Sequence, residues 1–222
     1  MCFSENMSLL IFILGTITTL IIKKYNNKFI LYFPVFYFSL MELFQYLAYV
    51  FIRKKKENIL QLLNYLIYIH ISFQSFVINL WFLNYIPKKN IKIMYFVLKI
   101  CLISSIFYIS RLYNTNINNL CDVKNEETCG NKSKLELGKK HILYIFRMRG
   151  ANYLTPSIFI HFFLWFIPAL LLNVNKIIYL SSIVGIFGTL LITKNKDEYA
   201  SIWCFINIPL MILSLLSLKY FK

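Results

Sequence analysis

Two apolar stretches of this chain each contain side chains that could carry chemistry. The first holds Glu42 and Gln45, and the second holds His70 and Gln74. Helical spacing places His70 and Gln74 on one face, and a similar face of the preceding helix holds Glu42, Gln45, Tyr46 and Tyr49. A shielded acid and imidazole can relay a proton, because burial destabilises the charged form of each. We therefore expect a polar cluster that binds or conducts a small ligand, whether a proton, a metal ion or a lipid headgroup.

A second hypothesis for some of the same residues is a zinc site. Zn²⁺ prefers thiolate, imidazole and carboxylate ligands in a tetrahedral arrangement, and these are supplied by Cys2, Glu42, His70 and His141. His141 lies in a polar segment that should face the same side of the molecule as Glu42, so it also joins the ligand or proton cluster. The spacing of the four residues matches no short metal-binding motif. The residue types permit zinc, but their spacing does not specify it.

The elements that position these residues are predicted to be membrane-spanning helices. Hydrophobic residues make up 59% of the 222 residues, against roughly 45 to 50% in soluble domains. One crossing takes about 20 apolar residues, so helices require most of the chain. The sequence predicts an all-α fold in which residues 1–222 form a single polytopic membrane domain, a bundle of seven transmembrane helices. The predicted crossings are, approximately, residues 8–22, 29–52, 60–85, 91–112, 153–172, 177–193 and 199–218.

The formal net charge of +15 fits a membrane better than a nucleic acid. The basic residues occur in short clusters between apolar runs, at 23–28, 53–56 and 88–92. Such clusters lie at helix ends beside lipid headgroups, so we expect the lipid bilayer as a partner and no nucleic-acid binding. Nine lysines on the C-terminal side, against six basic residues in the short loops of the other side, predict a cytoplasmic C-terminus and an outward or lumenal N-terminus.

The polar segment 113–152 is the one long loop in this prediction, and it should face outward. It contains Cys121 and Cys129, followed at Asn131 by an N-x-S glycosylation acceptor pattern. Because an outward-facing loop lies in an oxidising compartment, we favour a disulfide between the two cysteines over two free thiols.

Four segments resemble an uncharacterised family of short multi-pass membrane proteins. They are MCFS at the N-terminus, FSLMELFQ from Phe38, YIHISFQSFVIN from Tyr68 and DEYASIWC from Asp197. In that family the corresponding segments read Met-Cys-aromatic-Ser, LMELLQ, YLHIAFQPFFIN and NEWPAIWC. The chain departs from the family at Ser75 and Ala200, where proline is usual. The resemblance implies seven helices, but it supplies no reaction, substrate or cofactor.

Three functions stay open at this point. The polar cluster binds or conducts a small ligand, or the chain is a non-catalytic membrane scaffold whose polar groups only pack helices against each other. A third hypothesis is a metal-dependent intramembrane hydrolase. The chain has only three histidines and no aspartate inside a predicted crossing, so the residues indicate no particular reaction.

Overall fold

The computed structural model describes residues 4–113, 120–121, 129–150, 158–202 and 207–220. In this part of the chain the fold is mostly helical, as the sequence predicts, and it contains a small sheet in addition. The elements are, in chain order, α1 (Glu5–Tyr25), α2 (Phe29–Arg53), α3 (Glu57–Phe82), α4 (Ile91–Ser110), β1 (Lys134–Leu137), β2 (Ile142–Ile145), α5 (Ile158–Leu171), α6 (Lys176–Ile192), α7 (Tyr199–Ile202) and α8 (Asn207–Tyr220).

Among the described residues, four helices are long and apolar enough to cross a membrane, namely α1, α2, α3 and α4 with the 3-10 turn before it. The three later predicted crossings correspond to shorter helices, since α5, α6 and α8 have 14, 17 and 14 residues. A helix of 14 residues is about 21 Å long. Residues 153–157 and 203–206, which belong to two of these predicted crossings, are not among the residues that the structure describes. The long apolar helices are therefore those of the N-terminal half.

The ends of α1 show how local sequence sets the limits of a helix. The Ser4 side chain caps the first turn by accepting a hydrogen bond from the Met7 amide at 3.4 Å. Glu5 lies in the first turn and Lys23 and Lys24 lie in the last, so their charges oppose the helix dipole favourably. These caps extend the helix by three residues at each end beyond the predicted apolar run.

The helices α2 and α3 form the centre of the bundle. α2 packs against α1, α3 and α8, and α3 packs against α4 and α5 as well. Gly15 allows α1 to approach α2 closely, because a Cβ atom at this position would collide with Ser39 Oγ. Trp81 of α3 is fully buried and donates a hydrogen bond from Nε1 to Ser214 Oγ of α8 at 3.0 Å. The last helix is thereby fixed against the centre.

A two-stranded antiparallel sheet lies where the sequence predicts a loop, and it corrects the all-α prediction. Ile142 and Tyr144 of β2 are fully buried and alternate with half-buried residues, so one face of the sheet packs inward. Asn64 of α3 fixes the sheet to the bundle. Its Nδ2 atom donates to the carbonyl oxygens of Ile145 at 2.9 Å and Lys134 at 3.4 Å.

Cys121 and Cys129 form the disulfide that the sequence predicts. Backbone hydrogen bonds hold both ends of this segment beside the residues that follow β2. The Cys121 amide donates to Met148 O, and the Gly130 amide donates to Phe146 O, each at 3.0 Å. We call residues 129–150 the cap, since its strands pack on α2 and α3.

Candidate functional site

A polar stripe on α2 runs from the end of the helix toward its middle. Glu42, Gln45, Tyr49 and Arg53 are spaced by three, four and four residues, so they lie on one face. Arg53 is mostly exposed and pairs with Glu5 of α1, with 2.5 Å between Arg53 Nη2 and Glu5 Oε2. Glu42 lies about 17 Å further along the helix axis. The stripe therefore connects an exposed ion pair with a buried carboxyl group.

Glu42 and Gln45 contact α1 and α7. The side chain of Glu42 is 3% exposed and that of Gln45 is also buried. The Ser8 hydroxyl donates to Gln45 Oε1 at 3.3 Å, and it hydrogen-bonds the Glu42 side chain as well. Gln45 Nε2 donates to the carbonyl oxygen of Ser201 at 3.0 Å. Glu42 has no Lys or Arg partner within the part of the chain that the structure describes.

A second buried carboxyl group belongs to Glu198, at the end of the 3-10 turn before α7. Glu198 is completely buried. Its Oε1 accepts a hydrogen bond from the Lys140 amide at 3.0 Å, and its Oε2 accepts one from Thr193 Oγ1 at 2.6 Å. Gly138 makes room for this carboxylate, because a Cβ atom there would collide with Glu198 Oε1. The carboxylate thus holds the turn between β1 and β2.

Tyr49 lies within electrostatic range of both carboxyl groups. Its phenol interacts electrostatically with both Glu42 and Glu198, and its ring centroid lies 5.8 Å from that of His141. We call Glu42, Tyr49, His141 and Glu198 the Tyr49 cluster. The cluster lies where α2, the turn of the cap and the residues before α7 meet.

His141 contributes a neutral imidazole to this cluster. It is 3% exposed, and burial lowers the pKa of His141 to about 3. Its Nδ1 atom accepts a hydrogen bond from the Ile142 amide at 2.8 Å. Since the neutral ring has one acceptor and one donor nitrogen, the proton is on Nε2.

His70 lies apart from Glu42. The two α2 residues that contact its ring are Tyr37, stacked at 4.1 Å, and Phe44, edge-on at 5.6 Å. At about 100° per residue, these lie roughly 150° around α2 from Glu42. His70 Nε2 has no hydrogen-bond partner among the described residues. The structure therefore does not bring Glu42 and His70 together, and Gln74, half-buried one turn beyond His70, lies on the His70 side.

The zinc ligands predicted from the sequence are not assembled in the described residues. No three His, Cys, Asp or Glu side chains come close enough there to share a metal ion. Glu42 and His141 belong to the Tyr49 cluster, whereas His70 packs between two rings on another face of α2. Cys2 lies outside the described residues.

Glu198 is the residue of this site that the sequence did not single out. It lies in the segment DEYASIWC, which carries part of the family resemblance. The feature that could have indicated it is an acidic residue directly before a segment that returns to apolar residues. Its partners are backbone and hydroxyl groups of distant segments, which no spacing along the chain reveals.

The chain was compared with models of protein families, with curated proteins and with solved structures. A family model described as a family of unknown function (DUF5765) matches residues 6–220. The chain belongs to this family. This agrees with the predicted membership of an uncharacterised family. No curated protein matches the chain, and no solved structure matches it either.

In this member of the DUF5765 family, the Tyr49 cluster offers carboxylates, a phenol and a neutral imidazole. These are groups that accept or pass on a proton, and carboxylate oxygen also binds hard cations. The matched range of the family includes all four residues of the cluster.

Proposed function

We propose that the chain is a multi-pass membrane protein that takes up a proton or a small cation at the Tyr49 cluster. The observation that carries the proposal is the pair of buried carboxyl groups, Glu42 and Glu198, both of which interact with one phenol. An anionic carboxylate that is removed from water is costly unless a positive charge compensates it. A proton or a bound cation provides that charge.

Membrane insertion is supported by the outer faces of the long helices. Large apolar side chains are exposed there, such as Leu20 on α1 at 60% and Phe96 and Ile106 on α4 at 63% and 56%. Exposed apolar patches of this extent mark a surface that is covered in the working protein. Together with four helices of membrane-spanning length, they support the insertion into a membrane that the sequence predicts.

The polar stripe on α2 supplies a route to the cluster. From the Arg53–Glu5 pair at the surface, the next polar groups inward are Tyr49 and Gln45, and Glu42 follows. The Tyr49 hydroxyl can both accept and donate a proton on this face, and the Gln45 amide can hydrogen-bond water molecules beside it. In membrane proteins, ionisable groups at depth usually face a protein interior and mark an ion or proton pathway.

The scaffold function remains the second candidate because of the hydrogen bonds of Gln45. Its amide is bonded at both ends, to Ser8 and to Ser201, which is what a packing group requires. Interhelical hydrogen bonds of this kind contribute on average about 0.6 kcal/mol in a membrane protein. In this function Glu42 would serve only to join α1 and α2.

Proton uptake separates the two candidates. The full chain is reconstituted in phosphatidylcholine vesicles that enclose a pH-sensitive dye, and a pH difference is imposed. We expect the wild type to dissipate the difference and Glu42→Gln to lose this activity while folding normally. Glu57→Gln, at the exposed start of α3, is the control and should behave as wild type.

Binding without conduction is tested on the same proteins. The infrared carboxylic-acid band is recorded as a function of pH, and the metal content of the purified protein is measured. A carboxylic-acid band or a bound metal that is present in the wild type and absent from Glu42→Gln supports binding at the Tyr49 cluster. If no flux, band or metal depends on Glu42 and only the folded yield falls, the scaffold function is correct.

A further inference from the structure

A cavity of about 800 Å³ lies between the α2–α3 turn and the cap. Its walls come from the end of α2, the first turns of α3, β1 and the strand edge near Arg147. None of the four residues of the Tyr49 cluster lines it. We call this cavity the basic groove.

Basic side chains outnumber carboxylates in the lining of the basic groove. Four basic side chains and two carboxylates line it. Lys134 and Glu136 form an ion pair at 3.3 Å and neutralise each other. Lys55, Lys132 and Arg147 are the other basic side chains of the described lining, and Glu57 is its other carboxylate. An excess of positive charge that converges on a concave surface attracts an anion, and lysine and arginine together suit phosphate.

Lys55 occupies a backbone conformation that normally belongs to glycine. Its φ of 51° is in the left-handed region, where a side chain is unfavourable. The α2 helix ends there with the Lys56 amide bonded to Phe51 O and the Lys55 amide bonded to Ile52 O, the hydrogen-bond pattern that closes a helix with glycine at the position of Lys55. Lys55 therefore occupies a position at which glycine would cost less backbone free energy.

The basic groove continues into an apolar surface. Leu60 and Tyr65 of α3 are part of its wall. Leu62 and Ile69 lie three residues before and four residues after Tyr65, so they share its face of the helix, and they are 60% and 37% exposed. A ligand with an anionic end and an apolar end would match both surfaces.

We propose that the basic groove binds an anionic phospholipid, with the phosphate against Lys55, Lys132 and Arg147 and an acyl chain along the Leu62–Ile69 face of α3. The last turn of α2 and the first turn of α3 lie at the depth of the lipid headgroups when these helices span a bilayer. The proposal rests on the membrane insertion put forward above but not on cation uptake by the Tyr49 cluster.

Lys55→Gly provides a sharp test, because it removes the charge and also relieves the backbone. The purified full chain in neutral detergent is titrated with phosphatidylglycerol, and bound lipid is counted by native mass spectrometry. We expect affinity to fall about tenfold, the change for one lost charge-assisted hydrogen bond. The melting temperature should not fall, since glycine is favoured at this position. The matched control is Lys54→Gln, which removes the same charge one residue away, outside the groove, and should bind as wild type.

Two further binding measurements identify the source of the phosphate. Phosphatidylcholine should bind much more weakly than phosphatidylglycerol, and inorganic phosphate should not displace the lipid at matched concentrations. Equal binding of both lipids, displacement by inorganic phosphate, or unchanged binding by Lys55→Gly would each overturn the proposal. Extraction of the wild type from membranes by alkaline carbonate would instead contradict membrane insertion, so the two failures are distinguishable.

Discussion

The side-chain amide of Gln45 donates a hydrogen bond to the backbone carbonyl of Ser201, with 3.0 Å between Nε2 and O. Ser201 in turn donates from its hydroxyl to the carbonyl oxygen of Ile142 at 2.8 Å, and the carbonyl oxygen of Glu198 shares this proton at the same distance. The bonds of Ser201 with Gln45 and Ile142 connect α2, α7 and β2, which are far apart in the sequence. The Tyr49 cluster owes its geometry to this connection, because His141 precedes Ile142 and Glu198 precedes Ser201 by one turn.

Removal of the Ser201 hydroxyl should therefore loosen the cap. We expect Ser201→Ala to lower the free energy of unfolding by about 1 kcal/mol, which corresponds to a fall in melting temperature of about 2 to 4 °C for a chain of this size. Thermal unfolding in detergent measures the effect. Ser110→Ala is the control, since the hydrogen bond of the Ser110 hydroxyl among the described residues lies within its own helix turn, to Phe107 O. Equal melting temperatures for wild type and Ser201→Ala would show that the connection is not important for stability.

Glu198 allows the structural and the functional role of a carboxylate to be separated. Glu198→Ala removes the acceptors of the Lys140 amide and of Thr193 Oγ1, and we expect a loss of about 2 to 3 kcal/mol in unfolding free energy. Glu198→Gln keeps one acceptor oxygen and an amide that can donate to Thr193, so the loss should be much smaller. Denaturant titration gives the two values.

The same pair of variants tests the Tyr49 cluster. If the charge of Glu198 takes part in cation uptake, Glu198→Gln should lose uptake in vesicles although it folds. A Glu198→Gln protein that is as active as wild type would limit the role of this residue to holding the β1–β2 turn.

His141 makes stability depend on pH. Burial lowers the pKa of His141 to about 3, whereas in the unfolded chain its pKa is about 6.5. Between these values the unfolded state binds a proton that the folded state does not. The free energy of unfolding should therefore fall as the pH decreases through this window, by up to about 1.4 kcal/mol per pH unit.

The slope of stability against pH is the quantity to compare. His141→Gln also removes ring packing against Tyr49, so its absolute stability is not informative. Its slope across the window should be flatter than that of wild type, because the other titrating groups are common to both proteins. Two parallel curves would mean that His141 is protonated at its ordinary pKa in the folded protein.

The long apolar helices could be predicted from the sequence, and the cap could not. Stretches such as 29–52 are apolar over more than 20 residues, and a helix is the structure that satisfies the backbone hydrogen bonds of such a run within the run itself. The cap consists of four-residue strands in a segment of mostly polar composition. The apolar run ILYIF at 142–146 is its signal, and five residues are too few to outweigh the surrounding polar residues.

The position of a polar residue on its helix was predictable, but its neighbour was not. The spacing places Glu42, Gln45 and Tyr49 on one face, and the structure uses that face as a unit. The sequence also gives His70 a face, yet it does not say which α2 residues oppose it. Tyr37 and Phe44 occupy that position and surround the imidazole with aromatic rings, which leaves Glu42 to α1 and to the segment around Glu198.

Two glycines should respond to the same substitution with opposite signs. Gly15 lies at the closest approach of α1 to α2, where an added Cβ atom would collide with Ser39 Oγ. Gly188 of α6 has no atom within 4 Å of such a Cβ. Alanine is preferred over glycine in a helix by about 1 kcal/mol, so Gly188→Ala should raise the melting temperature. Gly15→Ala should lower it, because the two helices must separate to admit the methyl group.

A second substitution shows that the collision is the cause. Ser39→Ala removes the Oγ atom but leaves the Cβ atom, which is also close to the position of the added methyl group. The double variant Gly15→Ala with Ser39→Ala should therefore recover part of the stability that Gly15→Ala loses, and thermal unfolding of the four proteins in this cycle gives the coupling. If the effects of the two substitutions on stability are strictly additive, the destabilisation by Gly15→Ala does not arise from the contact between α1 and α2.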